Sequence, residues 1–151
     1  MRAVVQRVAS ASVAVDGNVK ASIGRGLLVF LGVSAEDGEQ DIPWLAHKIP
    51  HIRIFEDDEG RMNRSVIDEG GDILLISQFT LFGNLKKGTR PSFNRAAPPE
   101  QALALYEAFH RVLEQELGKP IGTGQFGGDM HIPAENDGPI TLFIDSNQRD
   151  L

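Results

Sequence analysis

Valine-rich segments with partial alternation open the chain. "RAVVQRVA" (Arg2–Ala9) and "SVAV" (Ser12–Val15) predict two strands. "DGN" (Asp16–Asn18) predicts a tight hairpin turn, since Gly17 tolerates positive φ, and "VKASI" (Val19–Ile23) returns as the partner strand. "GLLVFLGV" (Gly26–Val33) is almost wholly apolar, as expected of a central strand buried on both faces. "EDGEQDIPWLAHKI" (Glu36–Ile49) reads as a loop running into a short helix, with Asp41 as a candidate cap, Pro43 in its first turn and Pro50 expected to end it. "HIRIF" (His51–Phe55) reads as strand, "EDDEG" (Glu56–Gly60) as an acidic turn, and "DILLISQFTLF" (Asp72–Phe82) as the longest strand. In "PPEQALALYEAFHRVLEQELG" (Pro98–Gly118), Ala102, Leu105, Tyr106, Phe109, Leu113 and Leu117 share one helical face. Pro99 suits its start and Gly118 its end. His110 falls beside that stripe, at its edge or on the surface. "DMHIPA" (Asp129–Ala134) and "PITLFID" (Pro139–Asp145) complete the strands. About eight strands and two main helices imply an α+β fold, with a mixed or antiparallel sheet curled around one core. No repeat, linker or low-complexity segment interrupts residues 1–151, which we read as a single domain.

Composition narrows the function classes. Hydrophobic residues make up 41% and charged residues 24% of the 151, near globular norms. No apolar run is long enough to span a membrane, and the N-terminus lacks a signal-like apolar region, so the expected location is cytoplasmic. With no cysteine there is no disulfide and no thiol nucleophile. The net charge of −6 argues against a broad grip on a nucleic-acid duplex. One segment departs from that balance. "KKGTRPSFNR" carries Lys86, Lys87, Arg90 and Arg95 and no acid, which fits either a solvated loop or a phosphate contact.

Common catalytic motifs are absent or out of context. "GTGQFG" (Gly122–Gly127) matches a dinucleotide fingerprint in letters only, because a helix precedes it and no helix follows; it reads as a glycine-rich loop. No G-x-S-x-G elbow occurs. The acidic turn lacks the ligand spacing of an EF-hand. His47 and His51 are four apart but flank Pro50, and a zinc site built on them needs further ligands the sequence does not name.

Two short stretches remain. "SQFTLF" (Ser77–Phe82) sets two hydroxyls and an amide in an apolar strand, where alternation would put Ser77, Phe79 and Leu81 on one face and Gln78, Thr80 and Phe82 on the other. A nucleophilic Ser77 or Thr80 would need a nearby base, and none is evident. "NDGPIT" (Asn136–Thr141) puts Gly138-Pro139 at the mouth of a strand, where proline cannot donate to a ladder.

Together these resemble the paired signatures S-Q-x-T-L and N-x-G-P-x-T of the D-aminoacyl-tRNA deacylases. "VVQRVASASVAVDG" (Val4–Gly17), "IGRGLLVFLGV" (Ile23–Val33), "GRMNRSV" (Gly60–Val66), "KGTRPSF" (Lys87–Phe93), "ALALY" (Ala102–Tyr106) and "GGDM" (Gly127–Met130) are similar to family segments in family order. The resemblance implies hydrolysis of the ester joining a D-amino acid, or glycine, to the 3′ end of tRNA. It implies a homodimer with its active site at the interface, and neither metal nor cofactor. It implies that Gly138 and Pro139, through a cis peptide bond, form a chiral selector reaching the partner's pocket. Ser77, Gln78 and Phe79 would line that pocket, with the Phe79 N–H as oxyanion donor. Thr80 would hold a position proposed as nucleophile, although we favour backbone catalysis assisted by the tRNA 2′-hydroxyl. Ala97 would contact the terminal nucleotide, Met130 would gate the pocket and Arg7 would tie down the Gly-Pro loop. Two other readings stay open: an RNA-binding relative without catalysis, and a general small-ester hydrolase. Gln125, where the family often has arginine, Pro50, Pro133 and the terminal "DSNQRDL" depart from the family pattern.

Overall fold

The computed structural model describes residues 1–151. It is an α+β protein built on a mixed, strongly curled sheet with two helices against one face. The expected first two strands are one, β1 (Arg2–Val15), and it organises the sheet. Along one edge β1 pairs antiparallel with β3 (Gly26–Gly32) and then β2 (Asn18–Ile23). Asp16 and Gly17 both have positive φ, 52° and 79°, and Val15 pairs with Asn18, so the tight turn expected over Asp16–Asn18 is a two-residue connection from β1 to β2. β3 pairs parallel with β6 (Asp72–Ser77), and β6 with the short β7 (Gly122–Thr123). β7 comes to lie against β2, so the sheet nearly closes into a barrel. An ideal Cβ on Gly26 would sit 1.9 Å from the Asp72 carbonyl oxygen, so only glycine permits the β3–β6 approach at that point.

The other edge of β1 holds β8 (Met130–His131) and β9 (Ala134–Asp145). The expected strand over Asp129–Ala134 is therefore only two residues, and the next begins five residues before Pro139. Pro133 joins them, with its carbonyl accepting the Ser12 N–H at 3.0 Å.

The helix α1 (Ile42–His51) runs through Pro50 rather than ending before it. Leu45, Ala46, Ile49 and Pro50 are buried, and this packing holds the last turn although proline forfeits a backbone bond there. Asp41 precedes α1 without a side-chain cap on it; its Oδ2 accepts the Gly38 N–H instead. His51 belongs to α1, so the strand expected at His51–Phe55 shrinks to β4 (Phe55–Glu56), paired with β5 (Met62–Arg64) across the acidic turn. The helix α2 (Pro99–Leu117) matches expectation and ends on Gly118 at φ +86°. Its predicted stripe is buried against α1 and the sheet residues Leu27, Val29, Ile73 and Leu75. Leu28, Leu74 and Ile76, on the opposite pleat, pack with Val8, Val13 and Ile23 inside the curl. No helix is long and apolar enough to cross a membrane.

The largest revision concerns Asp72–Phe82. β6 stops at Ser77, and Phe79–Phe82 form a 3-10 turn. The reason lies in its neighbour. Gln78 N–H donates to the Leu31 carbonyl at 2.7 Å, and β3 ends one residue later. Past that point no strand remains to pair with. The turn folds over Gly32, where a Cβ would come within 2.9 Å of the Gln78 carbonyl oxygen and 3.0 Å of Leu81 Cβ. The two-face alternation expected of Ser77–Phe82 is thus overturned: Phe79 and Thr80 are exposed, while Phe82 is buried.

Candidate active site

The end of β6 opens into a cavity of about 620 Å³. Ser77, Gln78 and Phe79 line it at the strand–turn junction, Ala97 stands before α2, and Met130 comes from β8. These five predicted residues are brought together from separate parts of the chain. Phe93 and Phe126 also line the space and were not singled out in the sequence. Their positions rest on tertiary packing: the Phe79 and Phe93 rings meet edge to face at 5.2 Å, and Phe126 packs 5.9 Å from Tyr106. Tyr106 donates its hydroxyl to the Leu75 carbonyl at 3.1 Å, and burial raises its pKa to about 12.

The 3-10 turn gives the cavity its polar character. Leu81 N–H donates back to the Gln78 carbonyl and Gly83 N–H to that of Thr80. The leading N–H groups, those of Phe79 and Thr80, have no acceptor within so short a turn. Arg2 fixes the turn from behind, donating to the Leu81 carbonyl at 2.9 Å and to Asp145 Oδ2 at 3.0 Å. Thr80 does not line the cavity. Its hydroxyl accepts a bond from the Gln78 amide and makes no bond to a histidine or carboxylate. Ala97 spends its N–H on the Val33 carbonyl at 2.9 Å. Met130 sulfur occupies the place a Cβ on Gly124 would take, 2.4 Å away, so glycine there makes room for it.

Gly138 and Pro139 do not line this cavity. Gln6 pairs with Thr141 and Val8 with Asn136, so Asp137, Gly138, Pro139 and Ile140 all stand opposite Arg7 alone. This four-against-one bulge pushes Gly138 and Pro139 outward, and both are exposed. The peptide bond between them is cis. Asn136 and Thr141 close the loop: Asn136 Oδ1 accepts the Ile140 N–H at 3.1 Å, and its Nδ2 donates to Thr141 Oγ1 at 3.0 Å. Both belong to the quoted "NDGPIT", but only the three-dimensional loop gives them this task. Arg7, 6% exposed, donates from Nε to the Asp137 carbonyl and from Nη1 to the Ile54 carbonyl.

Lys86, Lys87 and Arg90 are exposed in a loop closed by reciprocal backbone bonds between Asn84 and Ser92, and Arg95 is exposed just beyond it. None of the four takes part in an ion pair of the kind that Arg2, Arg7, Arg25, Arg61, Arg64 and Lys119 make. Phe93, between Arg90 and Arg95, leans on Phe79 and so joins the cationic loop to the cavity rim.

A family model described as D-Tyr-tRNA(Tyr) deacylase matches residues 4–145. A D-aminoacyl-tRNA deacylase of Opitutus terrae is 57% identical over 99% of this chain and 100% of its own. One of Bacteroides thetaiotaomicron is 51% identical with the same coverage. Among solved structures, the c-Myc DNA Unwinding Element Binding Protein superposes with a TM-score of 0.88 at 42% identity, covering 96% of this chain and 98% of its own. A structure described as a "probable eukaryotic D-amino acid tRNA deacylase" shares the fold at a TM-score of 0.81 and 19% identity, covering 95% and 97%. Agreement along nearly the full length, on a scaffold that sets Ser77, Gln78 and Phe79 at one cavity, establishes the relationship: the chain belongs to the D-aminoacyl-tRNA deacylase family, whose members are hydrolases of the aminoacyl-tRNA ester bond.

Proposed function

We propose that this protein removes D-amino acids and glycine from the 3′ end of tRNA and rejects L-amino acids by shape. The observation that carries the reading is the junction of β6 with its 3-10 turn, where the Phe79 N–H is left without a partner in the turn beside a half-open, largely apolar cavity. A fixed donor at such a place favours the charge that develops on an ester carbonyl under attack. Thr80 has no base among its hydrogen-bond partners, which supports attack by water assisted by the substrate's own 2′-hydroxyl over a threonine nucleophile.

The selector in this reading is the Gly138-Pro139 loop of a second copy. Its exposed position, outside the lining of the protomer's own cavity, suits action in trans. β9 pairs only with β1, leaving its outer edge and the exposed Phe143 for a partner. Carbonyls held outward there would accept hydrogen bonds from the substrate ammonium and leave no room for an L side chain, while a D side chain points away. Lys86, Lys87, Arg90 and Arg95 would meet tRNA phosphates, and this reading expects the protein to act in the cytoplasm. The deciding measurement is deacylation of matched D-tyrosyl-, L-tyrosyl- and glycyl-tRNA by the purified protein. Release of D-tyrosine and glycine with L-tyrosyl-tRNA spared is expected; equal attack on both hands would defeat chiral selection.

A further inference from the structure

The sequence sets His47 and His51 four residues apart with a proline between them. The structure keeps Pro50 inside α1, so one helical turn separates the two imidazoles and they project from the same face. Their rings stack at 4.3 Å. Glu116, from the far end of α2, completes the group, and one ligand atom from each of the three lies within 4.8 Å of the others.

We propose that His47, His51 and Glu116 form a binding site for a divalent ion of the zinc type that clips α1 to α2. The donor set is two imidazoles and a carboxylate, with a remaining position for water, which suits zinc. His47 Nδ1 and Glu116 Oε2 are 3.0 Å apart. Two ligand bonds of about 2.0–2.1 Å at a tetrahedral angle need a separation of roughly 3.3 Å, so a metal replaces the shared hydrogen with only a small adjustment. His51 Nδ1 lies 2.7 Å from the His47 carbonyl oxygen. A carbonyl only accepts, so in the neutral tautomer that fits this contact Nδ1 carries the proton and Nε2 is the nitrogen that faces a metal. A backbone carbonyl on the non-ligating nitrogen is the support that metal-binding histidines ordinarily have. The rings are exposed and can turn toward a common ion.

The site is separate from the cavity. Ala102 lines the cavity and Glu116 lies fourteen residues further along α2, about 21 Å at the helical rise. The ion's role is therefore structural, tying the two helices that cover the core.

The test is titration of tag-free protein with zinc chloride by calorimetry, beside thermal melts. One equivalent should bind, and zinc at about ten times its Kd should raise Tm by about 3–5 °C. His51→Ala and Glu116→Gln should each weaken binding ten-fold or more and remove the Tm shift, while His131→Ala leaves both unchanged. All three are exposed or half-exposed positions, and circular dichroism checks that each variant folds. Deacylation by the wild type should be the same with and without zinc. Absence of binding, or binding that survives both His51→Ala and Glu116→Gln, would overturn the proposal.

Discussion

Arg7 donates from Nε to the Asp137 carbonyl at 3.1 Å, across the one position where β1 faces four residues of β9. Its Nη1 holds the Ile54 carbonyl at 2.7 Å, so a single buried guanidinium ties the Gly138-Pro139 loop to the segment after α1. Arg7→Met should leave two carbonyls without donors and cost about 2–4 kcal/mol of stability. Deacylation should fall by more than ten-fold in protein that still folds, as urea melts and D-tyrosyl-tRNA turnover would record. Unchanged turnover would show that the loop needs no anchor.

Gly138 sits at φ +126°, and a Cβ on it would come within 2.9 Å of Ile140 Cγ1 and 3.0 Å of Arg7 Nη2. Gly138→Ala is expected to cost about 1–3 kcal/mol and to displace the loop. The ratio of D- to L-tyrosyl-tRNA hydrolysis should drop. A variant that keeps the full ratio would separate chiral selection from this loop.

Thr80→Ala tests the chemistry. The Gln78 amide loses an acceptor, but the backbone of the turn remains. Single-turnover rates should stay within about ten-fold of wild type, whereas removal of a true nucleophile costs about a thousand-fold or more.

Replacing Lys86 and Lys87 with glutamine should weaken tRNA binding without altering single-turnover chemistry at saturation. The slope of log K against log salt should shrink by about 0.7 for each single-strand phosphate that the variant no longer neutralises. An unchanged slope would return both lysines to plain solvated status.

Tyr106 gives a pH prediction. Its folded pKa is raised from 10.0 to about 12 because burial disfavours the phenolate. The neutral form is therefore the one folding favours. Its contribution is whole below 10 and is lost as the pH climbs through about 12. Alkaline unfolding of Tyr106→Phe should lose this component in that window, at a cost near neutrality of about 1 kcal/mol for the bond to Leu75.

Local rules on the sequence carried the tight turn around Gly17, the doubly buried β3 and the full course of α2. In each case the deciding information lies within a few residues: a positive φ, an unbroken apolar run, or a stripe with a glycine stop. The resemblance supplied the pairing of "SQFTLF" with "NDGPIT". Tertiary structure decided where those local rules fail. β6 gives way to a turn at Gln78 because β3 has run out beside it, and this bares the Phe79 N–H. α1 passes through Pro50 because burial of Ile49 and Pro50 outweighs one missing backbone bond, and this aligns His47 with His51. Asn136 and Thr141 become a clasp only once β9 is laid against β1 with its extra residues opposite Arg7. Propensity reads neighbours along the chain, whereas an exposed donor, an aligned pair of imidazoles and a closed loop depend on which strand or helix lies alongside.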